Sequence, residues 1–210
     1  GGGLMGSGIA EVCARAGIDV TLREIDAAEC EKTRGRIEKS LARAVEHRKL
    51  EESAASQALQ RLSFTTSFED LAESDLVVEA IIEDERAKRE VFEALDRVLR
   101  PGAILASNTS SIPIMKLAMS TTRPESVIGI HFFNPVPVLQ LVEVVTSLLT
   151  SEETANSAEA FARDMLGKRV IRSKDRAGFI VNALLIPYIL AAIRMFESGF
   201  ATAEDIDAGM

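Results

Sequence analysis

The chain has 210 residues, enough for one large domain or a domain and a half, and 47% of them are hydrophobic while only 5% are aromatic. Ala, Val, Leu and Ile supply the apolar content, which suits helices packed on a buried parallel sheet. The net charge of −8 is spread over both signs, which argues against a nucleic-acid groove or an anionic membrane surface as a partner.

The two cysteines, Cys13 and Cys30, stand in helical patterns without metal-ligand spacing, so the sequence points to no metal site and to a reducing, cytoplasmic compartment. The longest apolar run, Phe179 to Ile193, is interrupted by Asn182 and Pro187 and falls short of a membrane span. No secretory signal is visible.

In chain order, Gly1-x-Gly3-x-x-Gly6 leads into a helical pattern to Ala16 that Gly17 caps. Ile18 to Leu22 alternates as a strand and ends in Arg23-Glu24. In a dinucleotide fold the first two glycines let the backbone turn under a pyrophosphate, the third lets helix and strand approach, and an acid farther on binds the ribose hydroxyls. Glu24 stands at that distance. Its carboxylate would repel a 2′-phosphate, which favours NAD over NADP even with Arg23 beside it. A flexible linker is the competing reading of the glycines alone.

Ala27 to Lys49 reads as a long amphipathic helix with Ile37, Leu41, Ala44 and Val45 on one face and Arg34, Arg36, Lys39 and Arg43 interspersed. With a second helix from Glu51 to Arg61 it forms a hairpin larger than a crossover needs. Its charges read as a solvated face; the alternative is a basic surface for a phosphorylated ligand tail.

Leu62 to Thr65 is a short strand and Leu76 to Ala80 a buried one, followed by a helix from Asp84 to Leu99 and a Pro101-Gly102 turn. The buried strand Ala103 to Ser107 ends in Asn108-Thr109-Ser110-Ser111. Strand ends in a doubly wound sheet face the ligand crevice, which makes Ser110 a contact candidate. A helix from Ile112 to Met119 precedes the strand Val127 to Phe132, which delivers His131 to its carboxyl end. A tight Asn134-Pro135 turn and the run from Val138 to Val145 bring back Glu143. An imidazole that accepts a proton needs a partner on its other nitrogen, and Glu143 is placed to be that partner. The competing reading is a hydrogen-bonded core histidine and an edge carboxylate.

Glu153 to Leu166 reads as a helix capped by Gly167, and Arg169 to Ser173 as a last short strand. Phe179 to Glu197 is apolar nearly all round, as expected of a helix buried in a bundle or interface, and Thr202-Ala203-Glu204-Asp205 resembles a capping-box start. The fold expected is α/β: a Rossmann-type, doubly wound, mostly parallel sheet with a helical-hairpin insertion over residues 1–175, then the beginning of an all-α domain over residues 176–210. No apolar strand precedes Gly1 and the chain stops at Met210 just after a helix begins, so both edges read as cut, with the first strand missing.

Several stretches, taken together, are similar to the L-3-hydroxyacyl-CoA dehydrogenase family. They are Gly-Gly-Gly-Leu-Met-Gly-Ser-Gly-Ile-Ala at 1–10, Val-Val-Glu-Ala-Ile-Ile-Glu at 77–83, Ala-Ser-Asn-Thr-Ser-Ser at 106–111, His-Phe-Phe-Asn-Pro-Val-Pro at 131–137, Leu-Val-Glu-Val-Val at 141–145 and Gly-Phe-Ile-Val-Asn at 178–182. They span nearly the whole chain in family order, and the last five are far more specific than the glycine loop.

The resemblance implies NAD-dependent oxidation of an L-3-hydroxyacyl-CoA, with 3-hydroxybutyryl-CoA the expected substrate, or the reverse reduction, in fatty acid β-oxidation. It implies His131 as the base and Glu143 as its orienting carboxylate, with Ser110 and Asn182 holding substrate oxygens and Asn134 near nicotinamide and substrate. Gly1, Gly3, Leu4, Met5, Gly6 and Glu24 match dinucleotide contacts, and Glu83, Lys88, Asn108 and Ser110 further NAD-site positions. Ser40 matches a residue that contacts CoA. The lysine that the family often has one or two turns later is His47 here, with Arg48 and Lys49 beside it. Ala177 stands where the family usually has proline, and Ala183 replaces a common arginine. A homodimer through the helical C-terminal part is also implied. Two other readings stand beside this one: a dehydrogenase of a free hydroxy acid on the same scaffold, and a non-catalytic NAD-binding relative.

Overall fold

The computed structural model describes residues 1–210 as seven strands and eight α-helices. Helix α1 (Leu4–Arg15) springs from the glycine turn and ends before Gly17, whose φ of +86° supplies the left-handed turn. Strand β1 (Val20–Arg23) follows, then the hairpin of α2 (Ala27–Glu46) and α3 (Glu52–Gln60). Asp26 starts α2 by accepting from the Glu29 amide at 2.8 Å. Next come β2 (Leu62–Thr65), β3 (Leu76–Glu79), α4 (Glu85–Val98), β4 (Ile104–Ser107) and α5 (Ile114–Ala118). The chain continues through β5 (Val127–Phe132), β6 (Leu141–Thr146), α6 (Glu152–Ala160), β7 (Arg169–Lys174), α7 (Val181–Glu197) and α8 (Ala203–Gly209).

Strands β3-β4-β5-β6-β7 form one sheet in that order, parallel except for the antiparallel β5–β6 pair, and β1 pairs with β2 in parallel. Period-two alternation divides the larger sheet between two cores. Leu105, Val127 and Val145 face Phe92, Leu95, Ile114 and Leu117 of α4 and α5. Ala106, Ile128, Ile130, Val142 and Val144 face Ile9 and Cys13 of α1 and Ala155 and Ala158 of α6. A third core joins α1 to Ile37 and Leu41 of α2 and to Ala55 and Ala58 of α3.

Between β1 and β3 lies a slot of about 610 Å³, lined by Ile18 to Arg23 on one side and Ser74 to Glu79 on the other, with Ile9, Cys13 and Phe161 between them. Neither strand is paired on the edge it turns to this slot.

Three local expectations are corrected. The β5–β6 connection is a loop from Phe133 to Gln140 rather than a tight turn, because Pro135 and Pro137 have no N–H to extend the ladder; the Asn134–Pro135 bond is cis. The sixth helix widens into a π turn over Phe161–Met165 before Gly167 (φ +65°). The apolar helix α7 has no buried residue in this chain, with Leu184 69% and Ile186 52% exposed. No helix here is long and apolar enough to cross a membrane.

Candidate active site

A crevice of about 670 Å³ opens at the carboxyl ends of β1, β3, β4 and β5. Its floor is the glycine turn. A Cβ on Gly6 would fall 1.8 Å from the Gly1 carbonyl oxygen, and one on Gly2 would overlap Thr33 at 2.2 Å, whereas Gly3 faces open space. The backbone is thus stripped of side chains where the free amides at the start of α1 point, and the first turn of α1 carries no acidic residue to oppose an anion. This cradle fits a pyrophosphate.

Glu24 stands at the tip of β1, where its Oε1 accepts from the Gly2 amide at 2.5 Å and from the Thr33 hydroxyl at 2.8 Å. Its other oxygen makes no bond within the chain, which suits a ribose hydroxyl. Arg23 turns away: its guanidinium lies over Phe68, 4.2 Å from the ring centroid, and donates to the Thr66 carbonyl at 3.2 Å. Of the hairpin's cations only Arg36 lines the crevice, where it donates to the Gly2 carbonyl. Arg34 covers the Phe64 ring, and Lys39 and Arg43 are exposed, the solvated face expected.

The opposite wall is a buried polar network. Lys88, 1% exposed, donates to Glu79 Oε1 at 2.7 Å and lies 3.4 Å from Glu83. Glu79 also accepts from the Ile81 amide at 2.6 Å and the Ser107 hydroxyl at 2.7 Å. Glu83 accepts from the Ser110 amide at 3.0 Å, the Ser111 hydroxyl at 3.0 Å and the Thr109 hydroxyl. Burial pushes its pKa up, but the Thr109 hydroxyl, Lys88 and the Ser110–Ser111 donors together bring it below the ordinary value. Asn108 joins the ends of β4 and β5 by accepting from the Phe132 amide at 2.8 Å.

Register places His131 opposite Glu143 on the β5–β6 ladder. His131 Nδ1 lies 2.8 Å from Glu143 Oε2, so the carboxylate holds the proton on Nδ1 and leaves Nε2 as the basic nitrogen. Glu143 is fully buried, and its Oε1 accepts from the Ile180 and Val181 amides, both at 3.0 Å. Burial raises its pKa; the bonds from His131, Val181 and Ile180 outweigh it and leave the group lowered. Those two amides are aimed by the Gly178-Phe179 turn. Gly178 has φ +76° and a Cβ there would meet the Ala183 nitrogen at 2.9 Å, while Phe179, at φ +50°, presents its ring edge-on to the imidazole at 5.7 Å. Phe133 covers the other side at 4.4 Å.

The structure therefore brings Gly1, Gly3, Leu4, Met5, Glu24, Glu83, Lys88, Asn108, Ser110, His131 and Asn134 to one crevice, with Glu143 directly behind His131 and Gly6 packed beneath Gly1. It does not bring Ser40 or Asn182 there. Ser40 is half-buried on α2, one turn beyond Arg36, and Asn182 is half-buried one residue past the amides that bind Glu143. Gly2, Thr33, Arg36, Glu79 and Phe179 complete the site without having been assigned a part in it from sequence. Gly2, Glu79 and Phe179 lay inside the quoted motifs and Arg36 among the hairpin's cations; Thr33 left no local signal. Both cysteines are buried, and the Cys13 thiol is pushed up to about 12 by burial, so it carries no thiolate chemistry.

Residues 1–176 match the family model described as 3-hydroxyacyl-CoA dehydrogenase, NAD binding domain, and residues 178–210 match the C-terminal domain model of the same name. A 3-hydroxybutyryl-CoA dehydrogenase of Mycobacterium tuberculosis is 57% identical over 99% of this chain and 73% of its own length. One of Bradyrhizobium diazoefficiens is 44% identical over 100% of this chain and 71% of its own. The crystal structure of (S)-3-hydroxybutyryl-CoA dehydrogenase from Ralstonia eutropha superposes with a TM-score of 0.96 at 41% identity, covering 100% of this chain and 74% of that one.

Proposed function

The chain belongs to the 3-hydroxyacyl-CoA dehydrogenase family, and we propose that it oxidises the 3-hydroxyl of an L-3-hydroxyacyl-CoA, 3-hydroxybutyryl-CoA foremost, to the 3-oxoacyl-CoA, or runs the reverse reduction. The observation that carries this reading is the 2.8 Å His131–Glu143 pair opening onto the same crevice as the glycine turn.

NAD, when bound, supplies the hydride acceptor. The chain's part is to hold and move the proton. Nε2 of His131 takes the proton of the 3-hydroxyl as the oxidation proceeds and returns it in the reduction, and the Glu143 carboxylate stabilises the imidazolium in between. Ser110, on the crevice wall, and Asn182, at the start of α7, are assigned to the substrate oxygens, and Asn134 to the junction of substrate and nicotinamide. Gly1, Gly3, Leu4, Met5 and Gly6 would cradle the pyrophosphate and Glu24 the adenosine ribose, with NAD preferred to NADP because Arg23 is held on Phe68. Glu83, Lys88 and Asn108 shape the nicotinamide side. Ser40, on the hairpin, is assigned to the CoA moiety.

Residues 1–175 form the dinucleotide-binding unit in this reading, and residues 176–210 begin a helical one. The slot between β1 and β3 takes a further strand, parallel to both and leading into Gly1, since two unpaired strand edges face an apolar gap there. The exposed apolar helix α7 supports a homodimer, the two unpaired, buried cysteines support a reducing, cytoplasmic compartment, and family membership supports a place in fatty acid β-oxidation.

The test is turnover of acetoacetyl-CoA with NADH, followed at the NADH absorbance band, for the wild type and for His131→Gln. Loss of the base lowers turnover by about 10²- to 10⁴-fold while NADH still binds. Equal turnover in the variant removes the role of His131. Activity on free hydroxy acids but not on the thioester moves the substrate class, and inactivity on both leaves a dinucleotide-binding relative.

A further inference from the structure

Lys168 is a buried cation that the chemistry above leaves unused. It follows Gly167 at the end of the π turn, is 6% exposed, and donates to the Val136 carbonyl at 2.7 Å and the Leu139 carbonyl at 2.8 Å. No acidic side chain faces it. Burial lowers its pKa, Arg15 adds to that, and only the Cys13 thiol opposes. An ammonium without a counter-ion is costly to bury, and an apolar side chain of similar length would fill the space without that cost. What the cation adds is a pair of charge-assisted hydrogen bonds to two carbonyls three residues apart on one turn.

That turn is the loop from Phe133 to Gln140. Within it the Val138 and Leu139 amides donate to the Pro135 carbonyl at 3.0 and 2.9 Å. Asn134, Pro135, Val138, Leu139 and Gln140 are exposed, so the loop has little packing of its own. Val136 is its one buried side chain, seated on Gly8 of α1 so closely that a Cβ on Gly8 would lie 3.0 Å away. Beyond the Arg169 amide on the Gln140 carbonyl at 2.8 Å, the remaining tie is Lys168. At the other end of the loop Asn134 and Phe133 line the crevice beside His131.

We propose that Lys168 is a positioning residue for the reaction: its ammonium clamps the Val136–Leu139 turn and thereby holds Asn134 and Phe133 against His131, without touching substrate or dinucleotide. This rests on the dehydrogenase reading and deepens it.

The experiment is Lys168→Met, which keeps the volume and removes the donors. Turnover of acetoacetyl-CoA is expected to fall about 10- to 100-fold through misplacement of the crevice wall, with NADH affinity unchanged. The Val138 and Leu139 amides should exchange with solvent at least about tenfold faster, since both charge-assisted bonds of Lys168 are lost, while the Ile130 and Val144 amides in the sheet do not change. In Lys168→Ala, added propylammonium should restore part of the turnover. Slower turnover and faster loop exchange together uphold the proposal; either without the other overturns it. If Lys168→Met does not fold, Lys168→Gln, which keeps a neutral donor, is read by the same two measurements. A wild type inactive on every acyl-CoA would instead overturn the dehydrogenase reading, so the two failures are told apart before any variant is made.

Discussion

Two cavities of similar volume, about 670 Å³ at the strand ends and about 610 Å³ between β1 and β3, meet at Gly1 and Ile81, and they are built on different principles. In the crevice, polar side chains are tied to one another from behind and leave selected atoms facing inward: one oxygen of Glu24, Nε2 of His131, the first amides of α1. In the slot most of the lining side chains are apolar, and the β1 and β3 edges turned to it carry unpaired backbone donors and acceptors. Converging side-chain groups fit a small molecule. Evenly spaced backbone groups fit another strand.

The sharpest way to break this contrast is to fill the slot. A strand of about five β-branched residues fused ahead of Gly1 should add about 5 kcal/mol once chain ordering is subtracted from burial and ladder hydrogen bonds. At roughly 2–4 °C per kcal/mol the melting temperature rises by about 10–20 °C. An unchanged melting temperature would mean that the slot closes by itself and is no strand site. The crevice has its own test in Lys88→Met. Removing the ammonium leaves the Glu79 carboxylate buried with only the Ile81 amide and Ser107 hydroxyl, which costs about 3 kcal/mol in urea unfolding. Adding Glu79→Gln should restore most of that. If Lys88→Met alone is neutral, the wall is wetter than its burial implies.

Which of these features could be read from the chain depends on whether the physics is local. Strands β2 and β5 were legible residue for residue, and β1, β3 and β4 to within two, because short β-branched runs are bounded by Gly, Pro and capping residues. His131 and Glu143 were legible as a pair because an antiparallel return puts facing residues in register. The exposure of α7 was not, since an apolar helix has the same sequence whether or not this chain covers it. Nor was the width of the slot, which depends on β1 and β3 being separated by elements distant in sequence. Thr33 braces Glu24 from a helix face and nothing in its own neighbourhood marks it, while Arg36 and Phe179 stood in a recognised cation cluster and a quoted motif without their contacts being legible there. Ser40 and Asn182 fell outside the crevice for the converse reason: a matched motif assigns a residue a role without fixing where its helix lies.

The finest test of the comparison is Glu143→Gln, because its carboxylate serves the crevice and touches nothing in the slot. The amide oxygen can still accept from Nδ1, so the imidazole keeps its orientation, but an imidazolium forming at 131 loses its counter-charge. Turnover should fall about 10- to 100-fold, equivalent to about 1.4–2.7 kcal/mol in the barrier. The same carboxylate also marks the acid limb of stability. Its folded pKa lies below the unfolded value of about 4.3, so its contribution is fully present above that pH and is lost as the pH falls through the lower folded value. Glu143→Gln has nothing to titrate there, and its stability should decline less steeply below about pH 4.3 than that of the wild type. Filling the slot should raise both curves without changing this difference. A variant with wild-type turnover and an unaltered acid limb would reduce Glu143 to an edge carboxylate that happens to adjoin a histidine, and would take the crevice's main claim to chemistry with it.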